Sequence, residues 1–143
     1  MKTVAEIIRL KPDHAVYTVT PATSVYDAVK LMADKNIGAL LVMDGEKIIG
    51  IFTERDYARR IILLGKASKK TPVSDIMTTS VMYVHPGQTN EECMALMTEH
   101  RVRHLPVMRD GKLVGLISIG DLVKDIISEQ QFIIEQLIHY ITS

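Results

Sequence analysis

The stretch Gly50-Ile51-Phe52-Thr53-Glu54-Arg55-Asp56 decides the fold of this chain, because its pattern returns 65 residues later as Gly115-Leu116-Ile117-Ser118-Ile119-Gly120-Asp121. Both stretches follow G-x-x-[ST]-x-x-D. Sliding the chain on itself by the same 65 residues aligns turn, core and polar positions: Val16 with Val81, Val19 with Val84, Pro21 with Pro86, Leu31 with Leu96, Met32 with Met97, Leu40 with Leu105 and Val42 with Val107. Shared amphipathicity alone would not align all three kinds of position, so the sequence predicts two copies of one unit.

Each copy predicts the order strand, helix, hairpin, helix, and therefore an α/β fold. A short alternating strand at residues 16–19 or 81–84 ends at an X-Pro step, and an apolar stripe at helical spacing follows it. Thr23 or Ser24 is expected to cap the first helix, and Thr89 its counterpart in the second copy.

Two apolar runs flank Asp44-Gly45 in the first copy and Asp110-Gly111 in the second, which is the strongest short-range signal for a hairpin. The last helix of each copy is expected to begin near Thr53 to Asp56 or Ser118 to Asp121, because hydroxyl and carboxylate side chains suit a first helical turn. One copy has too few elements to cover both faces of its sheet. We therefore expect the two sheets to pack together, flanked by helices.

The repeat divides the chain, taken as one module of residues 1–143, into a first unit at 4–64, a linker and lead-in turn at 65–79, a second unit at 80–125, and a C-terminal amphipathic helix at 126–143. Lead-in turns echo each other at Val4-Ala5-Glu6-Ile7 and Val73-Ser74-Asp75-Ile76. The C-terminal helix carries a broad apolar surface formed by Ile127, Phe132, Ile133, Ile134, Leu137, Ile138 and Ile141. That surface either covers the chain's own sheet or, as we favour, forms a dimer contact.

Composition excludes several classes of protein. The chain has 143 residues, 47% of them hydrophobic, which is enough for a real core. Its 17 basic and 17 acidic residues balance, so nucleic acid is not an expected partner. A single cysteine, Cys93, forbids an internal disulfide and suits a reducing compartment, which favours the cytoplasm.

Membrane insertion and export are not expected either. No apolar run approaches the roughly 20 residues that a membrane span needs. Glu6 and Arg9 interrupt the stretch where a secretory signal would lie, so we expect the numbering to begin at the mature N-terminus.

The linked motifs resemble a tandem pair of cystathionine-β-synthase (CBS) domains, the Bateman module. The resemblance rests on Val-x-Asp-Ile-Met at residues 73–77, on the hydrophobic-Pro-Val strand at 105–107 and on the two G-x-x-[ST]-x-x-D stretches, and it covers about residues 4–123. It implies an α/β fold of two β-α-β-β-α units related by pseudo-twofold symmetry. It also implies that adenosyl ligands bind in the two clefts between the units, and that the chain forms a homodimer.

The residue types of G-x-x-[ST]-x-x-D suit a nucleotide. A carboxylate can accept hydrogen bonds from vicinal ribose hydroxyls, and a hydroxyl at a helix N-terminus suits a phosphate. The resemblance assigns Asp56 and Asp121 to ribose, and Thr53 and Ser118 to phosphate. The alternative is that these residues only cap their helices, which they would do without any ligand.

Further site residues come from the same resemblance. The adenine slot is implied at Tyr17, Ile37 and Gly38 for the Asp121 cleft, and at Met82, Val102 and Arg103 for the Asp56 cleft. Core packing is the competing role for the side chains of Ile37 and Val102. Phosphate contacts are implied for Arg103 and His104, with Arg55 and Gly120 inside the two motifs. Arg59 and Arg60 either join them or form a solvated helix face.

The sequence therefore favours a non-catalytic sensor that binds AMP, ADP, ATP or NAD, requires no metal and acts on a regulated protein that the sequence does not name. S-adenosylmethionine is less expected, because a sulfonium gains nothing from Arg103 and Arg55. The alternative is a protein-interaction or dimerisation module with vestigial clefts. A small hydrolase using Ser118, Asp121 and His104 is a weaker interpretation, and a zinc site at His100 and His104 is weaker still, because the helix should end between them.

Overall fold

The computed structural model describes residues 2–142 and confirms the mixed α/β fold. Its regular elements are α1 (Val4–Leu10), β1 (Thr18–Val19), α2 (Val25–Lys35), β2 (Ala39–Asp44), β3 (Lys47–Thr53), α3 (Glu54–Tyr57), a π-helical turn (Ala58–Ile62), a 3₁₀ turn (Val73–Asp75), α4 (Asn90–His100), β4 (His104–Arg109), β5 (Lys112–Ser118) and α5 (Ile119–Thr142). The chain divides into two compact units. We call residues 16–82 the Asp56 unit, and residues 2–15 with 83–142 the Asp121 unit.

Two lead-in segments, residues 4–8 and 73–77, precede the repeats. Each lead-in segment belongs to the compact unit of the other repeat. In the Asp121 unit, the Val4 N–H donates to the carbonyl oxygen of Gln88 at 2.8 Å. In the Asp56 unit, the Val73 N–H donates to the carbonyl oxygen of Thr23, which is the residue equivalent to Gln88, also at 2.8 Å. The compact units therefore differ from the division along the chain, which places residues 4–15 with the first repeat and 73–79 before the second.

The core of the Asp56 unit lies between α2 and the sheet β1-β2-β3, in which β1 is parallel to β2 and β3 is antiparallel to it. Its fully or nearly fully buried side chains are Val25, Ala28, Met32, Leu40, Val42, Phe52, Ile61, Val73 and Ile76. In the Asp121 unit β4 and β5 form the equivalent antiparallel pair, and both units carry a register shift at the same step, after Val42 and after Val107. The hairpins predicted from the repeat are present in both units.

The hairpin loop coincides with the Asp-Gly pair in the Asp121 unit and is offset from it by one residue in the Asp56 unit. In the Asp121 unit Arg109 pairs with Lys112, and Asp110 and Gly111 form the loop with φ of 51° and 76°. In the Asp56 unit Asp44 still belongs to β2 and pairs with Lys47, so the loop is Gly45-Glu46 and only its glycine has positive φ, at 61°. The two patterns match I′ and II′ turns respectively. The predicted Asp44-Gly45 loop was therefore wrong by one residue.

The first strand of each repeat is shorter than predicted. Residues 16–19 contribute only Thr18–Val19, and residues 81–84 contribute only a single parallel bridge from Val84 to Val107. The neighbouring strand explains the second difference, because Pro106 stands where the first repeat has Leu41. Proline brings no N–H for the next rung of a parallel ladder, so pairing stops at Val84.

The last helices differ in length. Thr53 caps α3, which has only four α-helical residues before the π-helical turn, whereas α5 runs without a break for 24 residues. The C-terminal helix predicted at 126–143 is therefore the continuation of α5 and begins at Ile119; Ser143 lies outside the described residues. Ser24 and Thr89 cap α2 and α4 as predicted.

Candidate functional site

Asp56 sits in the first turn of α3 and is almost fully buried, with 6% of its surface exposed. One carboxylate oxygen, Oδ2, accepts the Thr53 N–H at 3.1 Å, and the Thr53 hydroxyl accepts the Asp56 N–H at 3.2 Å. The other oxygen, Oδ1, accepts the hydroxyl of Thr78 at 3.1 Å. Both oxygens are thus engaged inside the Asp56 unit, and the predicted capping role is fulfilled.

Asp121 occupies the equivalent place at the start of α5 but is more open, with a side chain 20% exposed. Its Oδ2 accepts the Ser118 N–H at 2.9 Å, and the Ser118 hydroxyl accepts the Asp121 N–H at 3.2 Å. The same Oδ2 lies 2.9 Å from the ammonium nitrogen of Lys11, which also donates to the Leu116 carbonyl oxygen at 2.9 Å. Within residues 2–142 no hydrogen bond reaches the Oδ1 of Asp121, so one oxygen remains for an outside donor.

Sequence reasoning missed Thr78 and Lys11, the residues that complete the two carboxylate sites. Both follow a lead-in segment, Thr78 after the 3₁₀ turn and Lys11 after α1. The echo between the lead-in segments was the available signal. It could not locate these residues, because it does not tell which repeat a lead-in segment packs against.

The glycine of each motif makes room for a lead-in segment. A Cβ on Gly50 would lie 2.5 Å from the sulfur of Met77, and a Cβ on Gly115 would lie 2.6 Å from the Cδ1 of Ile8. Met77 and Ile8 hold the same position in the two lead-in segments, counted from Val73 and Val4. These glycines therefore let Thr78 and Lys11 come close to the carboxylates.

The predicted phosphate residues of the Asp121 unit cluster at one end of the β4–β5 hairpin. His104 pairs with Ser118 across the two strands, and the Arg103 carbonyl oxygen accepts the Ile119 N–H at 2.9 Å. Gly120 is exposed, and a Cβ there would meet only the Ser118 hydroxyl, at 3.6 Å. The structure thus brings Arg103, His104, Ser118 and Gly120 together around the start of α5.

Burial lowers the pKa of His104 below its usual value of 6.5. The charge of Asp121 acts in the opposite direction, while Lys11 and Arg103 lower the pKa further. A neutral imidazole can accept a hydrogen bond as well as donate one.

The basic residues of the first motif have different surroundings. Arg55 is exposed on α3, and Arg59 is exposed on the π-helical turn. Arg60 donates to the carbonyl oxygens of Ile76 and Met77 at 3.0 and 3.1 Å. Arg60 therefore holds the second lead-in segment against the Asp56 unit.

With the exception of Met82, the residues predicted to form the adenine slots fall in the unit opposite to their assigned aspartate. Tyr17, Ile37 and Gly38 lie in the Asp56 unit, where Tyr17 and Ile37 pack against the core. The Ile37 N–H donates to the Met32 carbonyl oxygen at 3.0 Å, and the Gly38 carbonyl oxygen accepts the Glu54 N–H at 3.2 Å.

The second predicted slot has a similar local environment. Val102 lies in the Asp121 unit and Met82 at the end of the Asp56 unit, and both are half-buried. The Val102 N–H donates to the Met97 carbonyl oxygen at 3.1 Å, which repeats the contact of Ile37. The backbone N–H groups of Ile37 and Val102 are therefore already bonded within their own units.

Comparison with known proteins identifies the family. The sequence profile described as CBS domain matches residues 4–63 and again residues 73–128. This chain belongs to the CBS domain family. The tandem arrangement predicted from the 65-residue repeat is confirmed by this double match.

Several CBS relatives resemble most of the chain. A protein with CBS domains from Burkholderia ambifaria is 62% identical, covers 90% of this chain and 96% of its own, and superposes with a TM-score of 0.87. The mitochondrial CBS domain-containing protein CBSX3 of Arabidopsis thaliana is 39% identical over 97% of this chain and 71% of its own length. CBSX2, solved in complex with AMP, is 28% identical with a TM-score of 0.73 over 91% of this chain and 99% of its own.

The remaining chemistry-bearing groups lie outside the two CBS motifs. Cys93 is fully buried and unoxidised on α4, and burial raises the pKa of its thiol to about 11. Among residues 2–142 no three His, Cys, Asp or Glu side chains gather where a metal could bind. His100 ends α4 and His104 begins β4, so the helix ends between them as predicted. In the described part of the chain, none of the helices has the length and apolar character to cross a membrane.

Proposed function

We propose that this CBS pair is a non-catalytic regulatory module that binds an adenine nucleotide: AMP, ADP, ATP or NAD. One observation carries the proposal. The start of α5 presents a carboxylate with an unoccupied Oδ1, a serine hydroxyl and the exposed backbone of Gly120 within a single turn. These groups suit a ribose next to a phosphate, and AMP is the ligand of the CBSX2 relative.

The residue roles within this proposal follow the CBS motifs. Asp121 and Asp56 accept from ribose hydroxyls, while Ser118 and Thr53 donate their hydroxyl hydrogens to phosphate, since each already accepts through its oxygen lone pair. Arg103, His104, Gly120 and Arg55 supply the other phosphate contacts. Adenine lies against Tyr17, Ile37 and Gly38, or against Met82 and Val102. No metal is required, and the proposed location is the cytoplasm.

Thermal unfolding followed by circular dichroism tests nucleotide binding. The protein, freed of carried-over nucleotide, is heated with AMP, ADP, ATP, NAD or S-adenosylmethionine at a fixed protein concentration. A nucleotide present at about 100 times its Kd should stabilise the fold by ~2.7 kcal/mol, which raises the unfolding midpoint by roughly 8–10 °C for a chain of this length.

Substitutions of the two motif aspartates serve as controls for nucleotide binding. Asp121→Asn and Asp56→Asn keep the shape of the carboxylates but weaken acceptance from ribose, so at least one of them should abolish the shift while the variant still unfolds cooperatively. No shift with any of the compounds would contradict the proposal, and a shift that survives both substitutions would contradict the residue assignment.

A second function, assembly with another copy of this chain, is favoured by α5. Beyond Asp125 no residue of the helix is buried, and from Ile127 onward its large apolar side chains are about half exposed or more. At 100° per residue most of them fall on one broad face, formed by Ile127, Ile133, Ile134, Leu137, Ile138, Tyr140 and Ile141. We propose that this face pairs with the same face of a second copy, as the isologous interface of a homodimer.

Light scattering after size-exclusion chromatography tests the homodimer. Ile134→Glu places a charge on the proposed interface. Phe132 lies about 200° away around the helix, so it does not belong to the apolar surface on which the sequence placed it, and Phe132→Glu serves as the control. Both side chains are already exposed, by 54% and 61%. Ile134→Glu should give a monomer, and Phe132→Glu should leave the dimer intact. A monomeric parent protein, or dimers from both variants, would contradict this interface.

A further inference from the structure

A cavity of about 100 Å³ lies beside Asp121, within the Asp121 unit, between α1 and α5. Its polar lining consists of Lys2, Lys11, Lys124, Asp121, Asp125 and Ser128. A water molecule occupies about 30 Å³ in the liquid, so the cavity has room for roughly three. It is too small for a nucleoside and large enough for a phosphate group.

The charges around the cavity favour an anion. Three ammonium groups face two carboxylates, and each carboxylate already pairs with one lysine at 2.8 or 2.9 Å. Lys124 is exposed and makes no hydrogen bond or ion pair with another residue in the part of the chain that the structure describes. One positive charge on the lining is therefore not balanced by the cavity's own carboxylates.

Lys11 connects this cavity to the candidate nucleotide site. Its ammonium nitrogen and the Ser118 N–H both lie 2.9 Å from the same oxygen of Asp121. The two nitrogens are thus no more than about 6 Å apart, which is close to the span of adjacent phosphate groups and their hydrogen bonds. The Lys11 and Asp121 side chains are 29% and 20% exposed, so water already competes for this ion pair and a ligand can replace it.

We propose that the cavity is an anion subsite that takes the terminal phosphate of a nucleoside diphosphate or triphosphate, with Lys11 and Lys124 as its binding residues. The ribose takes the Asp121 carboxylate and Lys11 turns from that carboxylate to the phosphate. Lys2 stays with Asp125, because that carboxylate also accepts from the buried amide of Asn90 at 2.8 Å. The Asp56 unit has no counterpart of this ion pair, because a threonine hydroxyl contacts its aspartate. The inference rests on the proposed nucleotide binding and adds which nucleotides are preferred.

Isothermal titration calorimetry of the full chain with AMP, ADP, ATP and inorganic pyrophosphate tests the subsite. ADP and ATP should bind roughly tenfold more tightly than AMP, as expected for a charge-assisted hydrogen bond near the surface. Lys124→Met should bring the Kd for ADP close to that for AMP and leave the Kd for AMP within about twofold, and Lys11→Met should likewise remove the preference for ADP over AMP. Lys112→Met, which removes an exposed lysine of the β4–β5 hairpin, is the matched control and should change neither.

The outcomes separate this inference from the proposed function. If AMP binds and ADP binds no more tightly, or if both lysine variants bind ADP like the parent protein, the subsite is refuted while nucleotide binding stands. If no nucleotide binds but pyrophosphate binds and depends on Lys11 and Lys124, the subsite stands and the proposed nucleotide function is refuted. Lys124→Met alone keeps the test decisive should Lys11→Met unfold, because Lys124 has no described structural contact to lose.

Discussion

The two units of this CBS pair use the same backbone to hold equivalent carboxylates in different ways. Asp56 is buried and its Oδ1 accepts a hydrogen bond from the Thr78 hydroxyl, whereas Asp121 is partly open and its Oδ2 pairs with the Lys11 ammonium. Both partners follow lead-in segments that pack against the other repeat. The duplicated fold therefore fixes where a carboxylate lies, and the residues that follow the lead-in segments determine its hydrogen-bond partner.

The largest expected difference between the units is in the stability lost on substitution at positions 125 and 60, which are equivalent in the repeat. Asp125 is buried and accepts from Lys2 and Asn90, each at 2.8 Å, while Arg60 is exposed and donates to two carbonyl oxygens. Asp125→Ala should lower the free energy of unfolding by about 3 kcal/mol, because it leaves a buried amide and an ammonium without their shared acceptor. Urea denaturation followed by circular dichroism measures the change.

Arg60→Ala serves as the matched control and should cost about 1 kcal/mol, since solvent replaces the lost donors. Equal losses for the two variants would show that burial does not distinguish these positions.

The second largest difference is expected between the two motif glycines, in the stability that an alanine substitution costs. A Cβ on Gly50 would meet Met77 and also the Thr78 carbonyl oxygen at 3.0 Å, which is backbone, whereas a Cβ on Gly115 would approach closely only the terminal Cδ1 of Ile8. We expect Gly50→Ala to cost about 1–3 kcal/mol and Gly115→Ala less than about 1 kcal/mol, because a side-chain end can move aside and a backbone carbonyl cannot. Thermal and urea unfolding of the two variants check this order. The reverse order would contradict the proposed close approach of the second lead-in segment.

Substituting Thr78 and Lys11, the partners of the two carboxylates, is expected to give a smaller difference in stability. Thr78→Val keeps the shape of the side chain but leaves a buried oxygen of Asp56 without its donor, which should cost about 1–2 kcal/mol. Lys11→Met removes a partly exposed ion pair and should cost less than about 1 kcal/mol. Thr78→Ser, which keeps the hydroxyl, should restore most of the stability. If Thr78→Ser is as unstable as Thr78→Val, the hydrogen bond to Asp56 is not the cause.

Much of this architecture could be predicted from the sequence, because the 65-residue repeat, the caps and the hairpins depend on local patterns. Ser24, Thr89 and the Thr53 and Ser118 motifs all lie where the sequence indicated. The predictions that were wrong or incomplete concern features that depend on residues distant in the sequence but close in space. Pro106 shortens the first strand of the second repeat from across the sheet, and no local pattern indicates which repeat a lead-in segment will pack against. The sequence therefore predicted the two motifs of the site but not the partner residues Thr78 and Lys11.

The smallest expected contrast concerns pH, because His104 stands where the Asp56 unit has the fully buried and non-titrating Ala39. Burial lowers the pKa of His104, with Lys11 and Arg103 adding to the effect and Asp121 opposing it. As pH falls below about 6.5 the unfolded chain binds the proton before the folded chain does, so this group costs stability progressively until the lowered folded pKa is passed. Above pH 7 the contribution is absent.

The measurement is the midpoint of thermal unfolding between pH 7.5 and 5.5, without nucleotide, for the parent protein and His104→Gln. Both proteins lose stability in acid through their carboxylates, so the informative quantity is the difference between the two curves. The parent protein should lose more stability than His104→Gln as the pH falls, with the gap opening below about pH 6.5. Parallel curves would mean that the imidazole takes up its proton equally well in the folded state. In that case His104 would be charged at the start of α5 and would act on a phosphate as a cation rather than as a neutral donor.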